Sequence, residues 1–336
     1  MTRLNPKIVL AHWAGVELFD AGAMSRLSEL GQILDDEPIG DWSDPRADRL
    51  LADAQVIVGH WGCPLIDINV VERAPNLGLF AYAAGTIKGT VDITAFDRGI
   101  RITSGANANA EPVVEFSIAA ILFANKDVFW QRDLLRDRTI EASRVGNQVP
   151  VGNYSKTIGV VGASLIGRRV IELLGNFPHL AVALYDPFVD EAEADHLGVR
   201  KCDLDDLCAR SDVLTIHAPS LPETKAMIGA RQLAALRTGA TVINTARAAI
   251  VDQDALISEL EAGRLYAILD VADPEPLPSD HRLLSLPNAF VTPHLAGSQG
   301  SELIRMTDYV IDEVARWIRD EPGRNEISAT DLRRLA

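Results

Sequence analysis

The sequence predicts an α/β protein of two doubly wound domains, each built on a parallel β-sheet. A length of 336 residues suits two domains better than one. Short apolar runs alternate with segments of helical periodicity along the chain, which is typical of βαβ units. This alternation occurs in two separate series, with a long apolar helix near Pro112 between them.

The first series contains five strand candidates. Four are clear apolar runs, and the second in chain order is weaker. The candidates cover residues 8–10, 32–34, 56–58, 79–82 and 100–103. They predict a small doubly wound domain of five strands.

The second series begins at Thr157 and contains six strand candidates, which matches the open sheet of a dinucleotide-binding domain. The candidates cover residues 157–161, 181–185, 213–216, 241–243, 267–271 and 289–292. Beyond them, residues 303–317 place apolar side chains on one face of a helix, and we expect this helix to return to the first domain. The predicted domains are therefore 1–108 with 302–336, and 109–301.

Between the two series, Pro112 stands where the first turn of a helix tolerates proline. Val114, Ile118 and Ile121 continue this helix as an apolar stripe. Residues 126–155 are polar and irregular, and form either a solvated connector or an arm that packs on a second subunit. We expect a homodimer.

Composition excludes several classes of function. The net charge of −15 describes an acidic surface that repels phosphate backbones, so no nucleic-acid partner is expected. No apolar run is long enough to span a membrane, and the N-terminus lacks a signal-peptide pattern. Cys63, Cys202 and Cys208 show no CxxC spacing, which argues against disulfides and a zinc site. We expect a cytoplasmic protein without a metal.

A glycine-rich turn directly follows the first strand of the second series. Its residues are Gly162, Ala163, Ser164, Leu165, Ile166 and Gly167. Val170 and Leu173 then continue one face of a helix. Glycine-containing turns between a strand and a helix are also common without a nucleotide. In this position the turn can bind the pyrophosphate of a dinucleotide, because the helix N-terminus offers free N–H groups and the positive end of its dipole.

Two side chains modify this prediction. Ser164 replaces a glycine of the fingerprint, so its Cβ obstructs the phosphate or its hydroxyl donates to it. Asp186, between Tyr185 and Pro187, lies 24 residues after Gly162 at the end of the second strand. A carboxylate there accepts hydrogen bonds from the ribose of NAD and repels the 2′-phosphate of NADP, although Asp-Pro is also common in turns. We favour the ribose role and hence NAD.

Three charged side chains, Arg247, Glu275 and His294, follow the ends of successive strands of this sheet. Ligands of open α/β sheets bind outside these strand ends, so we expect the three to meet. Considered one at a time, each residue has an ordinary alternative role. Arg247 is then a surface cap, Glu275 a loop residue and His294 a structural histidine. Together they suit hydride transfer to a 2-keto acid, with histidine moving the proton, glutamate orienting the histidine and arginine binding the substrate carboxylate.

Several segments resemble the D-isomer-specific 2-hydroxyacid dehydrogenase family, which includes phosphoglycerate, glycerate and D-lactate dehydrogenases. The resemblance extends over nearly the whole chain. The segments that resemble the three signature blocks of the family are 244–252, 269–271 with 275–276, and 292–298. Residues 98–100 and 109–115 match the family's entry into the dinucleotide domain, and residues 217–219 match its third-strand motif.

The resemblance implies two Rossmann-like domains, a flavodoxin-like substrate domain and an NAD-binding domain, in an NAD-dependent enzyme that interconverts a D-2-hydroxy acid and its 2-keto acid. It implies that Arg247 binds the substrate carboxylate and that Glu275 pairs with His294, the acid and base. It also implies cofactor contacts from His217, Ala218, Pro219, Thr245, Ala246, Asp270 and Gly297. The implied substrate contacts are Trp61, Ala84, Gly85, Thr86 and Asn109.

Departures from the family pattern leave the substrate open. Besides Ser164, residues 248–249 are alanines where glycines are frequent, and the loop 83–88 differs from the usual one. Trp61 either lines the substrate pocket or packs in the core. One alternative is an NADH-sensing corepressor of the same fold, which the acidic, compact chain disfavours. Formate dehydrogenases of the family have glutamine in place of Glu275, which argues against that activity.

Overall fold

The structure is a computed structural model and describes residues 5–15, 17–136 and 151–332. The chain divides into two compact units. Unit 1 is Met1–Ala110 with Ser298–Ala336, and unit 2 is Glu111–Gly297. The unit limits thus fall two and four residues from the predicted limits of 108/109 and 301/302.

Unit 1 contains a sheet of five parallel strands, as the sequence predicts. The strands are β1 Lys7–Ala11, β2 Gln32–Ile33, β3 Val56–Gly59, β4 Leu79–Tyr82 and β5 Arg101–Ser104. Their order is β2-β1-β3-β4-β5, which is the flavodoxin-like arrangement. Apolar side chains cover both faces of this sheet, as parallel sheets require.

Unit 2 contains a sheet of seven parallel strands, whereas the sequence predicted six. The strands are β6 Lys156–Val161, β7 Leu180–Tyr185, β8 Arg200–Lys201, β9 Val213–Ile216, β10 Thr241–Asn244, β11 Tyr266–Leu269 and β12 Ala289–Val291. The missed strand is β8, which has only two residues, both charged, and pairs at the edge with β7. The order β12-β11-β10-β9-β6-β7-β8 is that of a dinucleotide-binding sheet with one added strand.

The helices connect the strands and cover the sheets. They are α1 Ala21–Leu30, α2 Ala47–Asp53, α3 Ile68–Arg73, α4 Ile93–Asp97, α5 Ala106–Asn125, α6 Val128–Arg136, α7 Leu165–Leu174, α8 Glu191–His196, α9 Leu204–Arg210, α10 Ala230–Ala235, α11 Gln253–Glu261, α12 Arg282–Ser285, α13 Leu303–Ile318 and α14 Ala329–Leu332. Several begin after an aspartate whose carboxylate accepts a backbone N–H of the first turn. These aspartates are Asp20, Asp67, Asp92, Asp190, Asp203 and Asp252. No helix in the described ranges is long and apolar enough to cross a membrane.

Helix α5 corrects one prediction, because it begins at Ala106 and Pro112 lies inside it. The first N–H of the helix is satisfied by the hydroxyl of Ser104 at 3.1 Å. The segment before Pro112 is rich in alanine and asparagine and has no apolar periodicity, so the sequence pattern placed the start too late. Pro112 has no N–H, and the carbonyl of Ala108 therefore loses its helical partner there.

The segment after α5 is not a solvated connector over the length of α6, whereas residues 151–155 are mostly exposed. In α6, Trp130 is buried and stacks on Tyr266 with ring centroids 4.8 Å apart. Phe129 stacks on Phe290 at 4.2 Å. Helix α6 thus packs on its own unit, and residues 137–150 of the expected arm lie outside the described residues.

The C-terminal helix α13 returns to unit 1, as its apolar face predicts. Val310, Val314 and Trp317 of this face are buried against the first sheet. The indole Nε1 of Trp317 also donates to the carbonyl of Gly78 at 3.1 Å. This contact joins the last turn of α13 to the residue that precedes β4.

We expect Trp317→Ala to lower the free energy of unfolding of unit 1 by about 3–5 kcal/mol, because it leaves a cavity and an unpaired carbonyl. Ile304→Ala is the matched control, since Ile304 lies on the same helix but is 44% exposed. It should cost about 0.5 kcal/mol or less. Urea unfolding, followed by far-UV circular dichroism, gives the free energy of unfolding of both variants. Equal losses of stability in the two variants would contradict this docking of α13.

Candidate active site

The turn between β6 and α7 is too tight for any residue but glycine at two positions. Gly162 has φ +93°, and a Cβ there would lie 2.7 Å from the backbone N of Ala218. A Cβ on Gly167 would lie 2.0 Å from the carbonyl oxygen of Gly162. Both glycines therefore permit a close approach of strand, turn and helix. The turn adjoins the end of β9, where His217 and Ala218 lie.

Ser164 caps helix α7. Its hydroxyl donates to the carbonyl of His217 at 2.7 Å and accepts from the N–H of Gly167 at 3.4 Å. The single hydroxyl hydrogen is therefore used within the protein, and in this conformation it does not serve as a phosphate donor. The N–H groups of Leu165 and Ile166 have no acceptor among the described residues. These N–H groups can bind a pyrophosphate.

Asp186 closes the same turn from the end of β7. Its Oδ2 accepts from the N–H of Ala163 at 2.7 Å, and its Oδ1 accepts from the N–H of Phe188 at 2.8 Å. The carbonyl of the preceding Tyr185 accepts from Gly162 at 2.8 Å. The carboxylate is only partly buried and retains lone pairs for further donors, and Pro187 beside it is exposed.

The segment 217–219 supports the turn through its backbone. His217 is buried, and burial lowers its pKa to about 3, so the ring is neutral. Its Nε2 is 2.9 Å from the hydroxyl of Thr215. The carbonyl of Pro219 accepts from the hydroxyl of Thr224 at 2.6 Å, which fixes the start of the next loop.

His294 and Glu275 form a hydrogen-bonded pair beyond the ends of β12 and β11. The distance from Nδ1 of His294 to Oε1 of Glu275 is 2.6 Å. Nearly half of each side chain is exposed, at 47% and 45%. Because Nδ1 is held by the carboxylate, Nε2 is the ring nitrogen left to exchange a proton with a ligand.

Arg247 follows β10 and lies within the electrostatic influence of this pair. Burial lowers the pKa of its guanidinium, and the charge of Glu275 acts in the opposite direction. Its Nη1 donates to the carbonyl of Ala246 at 2.7 Å. No carboxylate in the described parts of the chain forms an ion pair with it. A partly buried guanidinium with free donors is a binding group for an anionic ligand.

Asp270 holds the loop that carries His294. Its Oδ1 accepts from the hydroxyl of Thr292 at 2.6 Å and from the N–H of Leu295 at 2.8 Å. Its Oδ2 accepts from the N–H of Ala296 at 2.9 Å. These bonds fix the loop on both sides of His294, which has φ +55°, a backbone conformation that side-chain-bearing residues rarely adopt. Sequence reasoning assigned Asp270 to the cofactor and missed this support, which only the folded loop reveals.

Three further predicted cofactor contacts lie at the same edge of unit 2. Thr245 is buried, with its hydroxyl 3.2 Å from that of Ser117 on α5. Ala246 follows it, and its N–H donates to the side-chain oxygen of Asn244 at 3.0 Å. Gly297 comes directly after the loop held by Asp270.

The predicted substrate residues Ala84, Gly85 and Thr86 form a loop after β4 in unit 1. Their N–H groups have no acceptor among the residues that the structure describes. The hydroxyl of Ser104 holds the carbonyl of Gly85 at 2.6 Å. Asn109 lies beside this loop, since a Cβ on Gly85 would be 3.2 Å from its Nδ2.

Trp61 takes an intermediate position in unit 1, because it is partly exposed and also packs against the apolar side chains on both faces of the sheet. This packing agrees with the core role, and the lining of a substrate pocket by Trp61 stays a prediction. Within the described ranges, no group of three or more His, Cys, Asp or Glu side chains could hold a metal ion.

Comparison with known proteins identifies the family. The family model described as D-isomer specific 2-hydroxyacid dehydrogenase, NAD binding domain, matches residues 118–296. D-3-phosphoglycerate dehydrogenase from Archaeoglobus fulgidus is 32% identical over 271 residues, which cover 80% of this chain and 50% of that protein. The chain thus spans about half the length of this relative.

Two further relatives are covered more fully. Glyoxylate reductase from Korarchaeum cryptofilum is 32% identical over 271 residues, which cover 78% of this chain and 80% of that protein. The crystal structure of an NADPH-dependent glyoxylate/hydroxypyruvate reductase from Sinorhizobium meliloti is similar in fold, with a TM-score of 0.76, 24% identity and coverage of 97% and 99% of the two chains. The strand orders, the glycine turn and these matches agree, and the chain belongs to the D-isomer-specific 2-hydroxyacid dehydrogenase family.

Proposed function

We propose that this protein is an NAD-dependent oxidoreductase that interconverts a D-2-hydroxy acid and its 2-keto acid. The observation that carries the proposal is the pair of His294 and Glu275, 2.6 Å apart at the carboxyl edge of the dinucleotide-binding sheet. An imidazole held by a carboxylate, with its second nitrogen free, is the group that proton exchange at a substrate oxygen requires.

His294 is proposed to give the proton that completes reduction. When bound, the reduced nicotinamide supplies a hydride to C2 of the keto acid. The proton passes from Nε2 of His294 to the C2 oxygen, which becomes the hydroxyl of the product. Glu275 accepts from Nδ1–H throughout and orients the ring. In oxidation the same nitrogen takes the proton back.

Arg247 is proposed to bind the substrate carboxylate. Its guanidinium is partly buried and has no carboxylate partner in the described chain. Burial disfavours its charge, and a bound carboxylate would compensate that cost. In unit 1, the free N–H groups of Gly85 and Thr86 are proposed as donors to the same class of anion.

NAD rather than NADP is the cofactor that Asp186 favours. The turn, the free N–H groups of Leu165 and Ile166, and Asp186 make a site for the pyrophosphate and the adenine ribose. A 2′-phosphate beside the Asp186 carboxylate would place like charges together. The fold does not decide this choice, because a protein of the same fold is named as NADPH-dependent.

We also propose that the enzyme acts as a cytoplasmic homodimer on small-molecule acids. Three large apolar side chains on α5 and α6 are exposed, namely Phe123 at 47%, Val128 at 37% and Leu135 at 61%. Such a group of exposed apolar side chains is a candidate subunit contact.

The cofactor proposal predicts that KM for NADPH exceeds KM for NADH by about tenfold or more, because of charge repulsion at Asp186. Asp186→Ser should reduce this ratio. Glu191→Gln, which removes an exposed negative charge at the start of α8, is the control and should not change it. Steady-state rates with both cofactors measure the ratio, and a wild-type preference for NADPH would contradict the role of Asp186.

The proton-transfer proposal predicts that His294→Gln lowers kcat for reduction of 2-keto acids by about 10²–10⁴-fold. The dissociation constant for NADH should hardly change, because His294 lies outside the glycine turn.

His196→Gln is the matched control, since His196 ends α8 away from the pair. NADH oxidation with a broad panel of 2-keto acids, and fluorescence titration of NADH, provide the two measurements. A chain that reduces no member of the panel, or a His294→Gln variant as active as the parent, would refute the proposed function.

A further inference from the structure

A cluster of aromatic side chains lies at the carboxyl ends of β1 and β3 in unit 1. We name it the switch-point cluster, and its members are His12, Trp13, Phe19, His60 and Trp61. In the order β2-β1-β3-β4-β5, the connections leave β1 and β3 in opposite directions. The crevice outside such a reversal is where open α/β sheets bind ligands.

The cluster is an ordered set of rings. His60 lies 4.9 Å from Trp61 and 5.9 Å from Phe19, in both cases edge to face. His12 lies 5.8 Å from Phe19. The backbone continues the strand pairing here, since Trp13 N–H donates to the carbonyl of Trp61 at 3.0 Å.

Trp13 is the exposed member of the cluster. More than half of it, 55%, is accessible, although its indole lies directly on Gly62. A Cβ on Gly62 would be 2.0 Å from Cδ1 of Trp13, so the backbone at Gly62 serves as a platform for the ring. An accessible indole held in a fixed position offers a flat apolar surface to a ligand.

His60 has a buried ring nitrogen without a hydrogen-bond partner among the described residues, which is a second observation independent of Trp13. It is fully buried, and its Nδ1 accepts from the N–H of Trp61 at 2.7 Å, so its proton is on Nε2. No acceptor for Nε2 exists among the described residues. Burial, with a smaller effect of His12, lowers the pKa of His60 to about 3, and burial also lowers the pKa of His12. Both imidazoles are therefore uncharged near neutral pH.

The cluster contains no cation that could hold a phosphate or a second carboxylate. Residues 8–25 include neither Arg nor Lys. The Arg and Lys residues among 50–88 are Arg73, which pairs with Asp48 at 2.8 Å at the end of α3, and Lys88, which is exposed and follows the loop after β4. The nearby charges on the β1 side are Glu17 and Asp20, both negative. A dianionic group placed here would lose its hydration without gaining a partner.

The distance between the switch-point cluster and the loop after β4 fits a ligand that has an acid group at one end and a ring at the other. The free N–H groups of Gly85 and Thr86 lie at the end of β4, next to β3. Strands β1 and β4 are two positions apart in the sheet, which corresponds to about 10 Å. An aryl-substituted 2-keto acid has about this length.

We propose that the switch-point cluster binds the side chain of the substrate, and that this side chain is an uncharged aromatic group. This inference rests on the proposed function, because it names the substrate class of that reaction. Trp13 and Trp61 provide the apolar surface, and the lack of Arg and Lys among residues 8–25 disfavours a phosphorylated side chain at the cluster. The preferred substrate is an aryl 2-keto acid such as phenylpyruvate.

The test compares kcat/KM with NADH for phenylpyruvate, pyruvate, glyoxylate and 3-phosphohydroxypyruvate. The wild type should prefer phenylpyruvate to pyruvate by roughly 10- to 100-fold, from the added apolar contact. Trp13→Ala should reduce this preference by about tenfold or more, and Trp13→Phe should largely retain it. Tyr154→Ala is the control, since Tyr154 is 70% exposed in unit 2, and it should not alter the preference.

The outcomes separate this inference from the proposed function. The aromatic site is overturned if the enzyme prefers 3-phosphohydroxypyruvate to phenylpyruvate. It is also overturned if Trp13→Ala keeps the wild-type preference for phenylpyruvate over pyruvate. In both cases, reduction of glyoxylate or pyruvate would still support the proposed dehydrogenase function. A protein that reduces none of the acids overturns the proposed function. In that case thermal-shift binding of phenylpyruvate against pyruvate still tests the cluster, since only the aryl acid should raise Tm, and Trp13→Ala should abolish the rise.

Discussion

The carboxylate of Asp270 organises the edge of unit 2 that carries His294. It is 1% exposed and accepts hydrogen bonds from Thr292, Leu295 and Ala296. Its own N–H donates to the carbonyl of Asn244, so it also connects β11 to β10. Because a buried carboxylate is stable only when its oxygens are satisfied, the loop of His294 cannot leave without a large cost. The unusual backbone of His294, and through it the contact with Glu275, depends on this anchor.

The turn between β6 and α7 is also held by hydrogen bonds within the protein. These bonds leave a few backbone N–H groups without an acceptor in the described chain. Ser164 and Asp186 use their side chains to hold the turn, whereas the N–H groups of Leu165 and Ile166 remain without acceptors in the described chain. The phosphate site proposed here is thus offered by backbone N–H groups and the dipole of α7. An acidic protein can bind an anionic cofactor in this way without a basic patch.

Sequence patterns predicted most of the fold, because each sheet is buried on both faces and its strands are short apolar runs. The predictions failed where the residues show no apolar periodicity. This is the case at the charged two-residue strand β8 and at the alanine-rich start of α5. The three charged residues at strand ends were predictable from topology. The anchoring of the loop by Asp270 and the platform under Trp13 were not, because both depend on contacts between residues that are distant in sequence or on the conformation of one glycine.

Amide hydrogen exchange at Leu295 and Ala296, compared between the wild type and Asp270→Asn, tests the anchoring of His294 most directly. An asparagine side chain has one acceptor oxygen instead of two, so at least one of these bonds is lost. At least one of the two amides should exchange about tenfold or more faster in the variant, while β7 keeps its protection. Equal exchange at both amides in the two proteins would show that the loop is held by something other than Asp270.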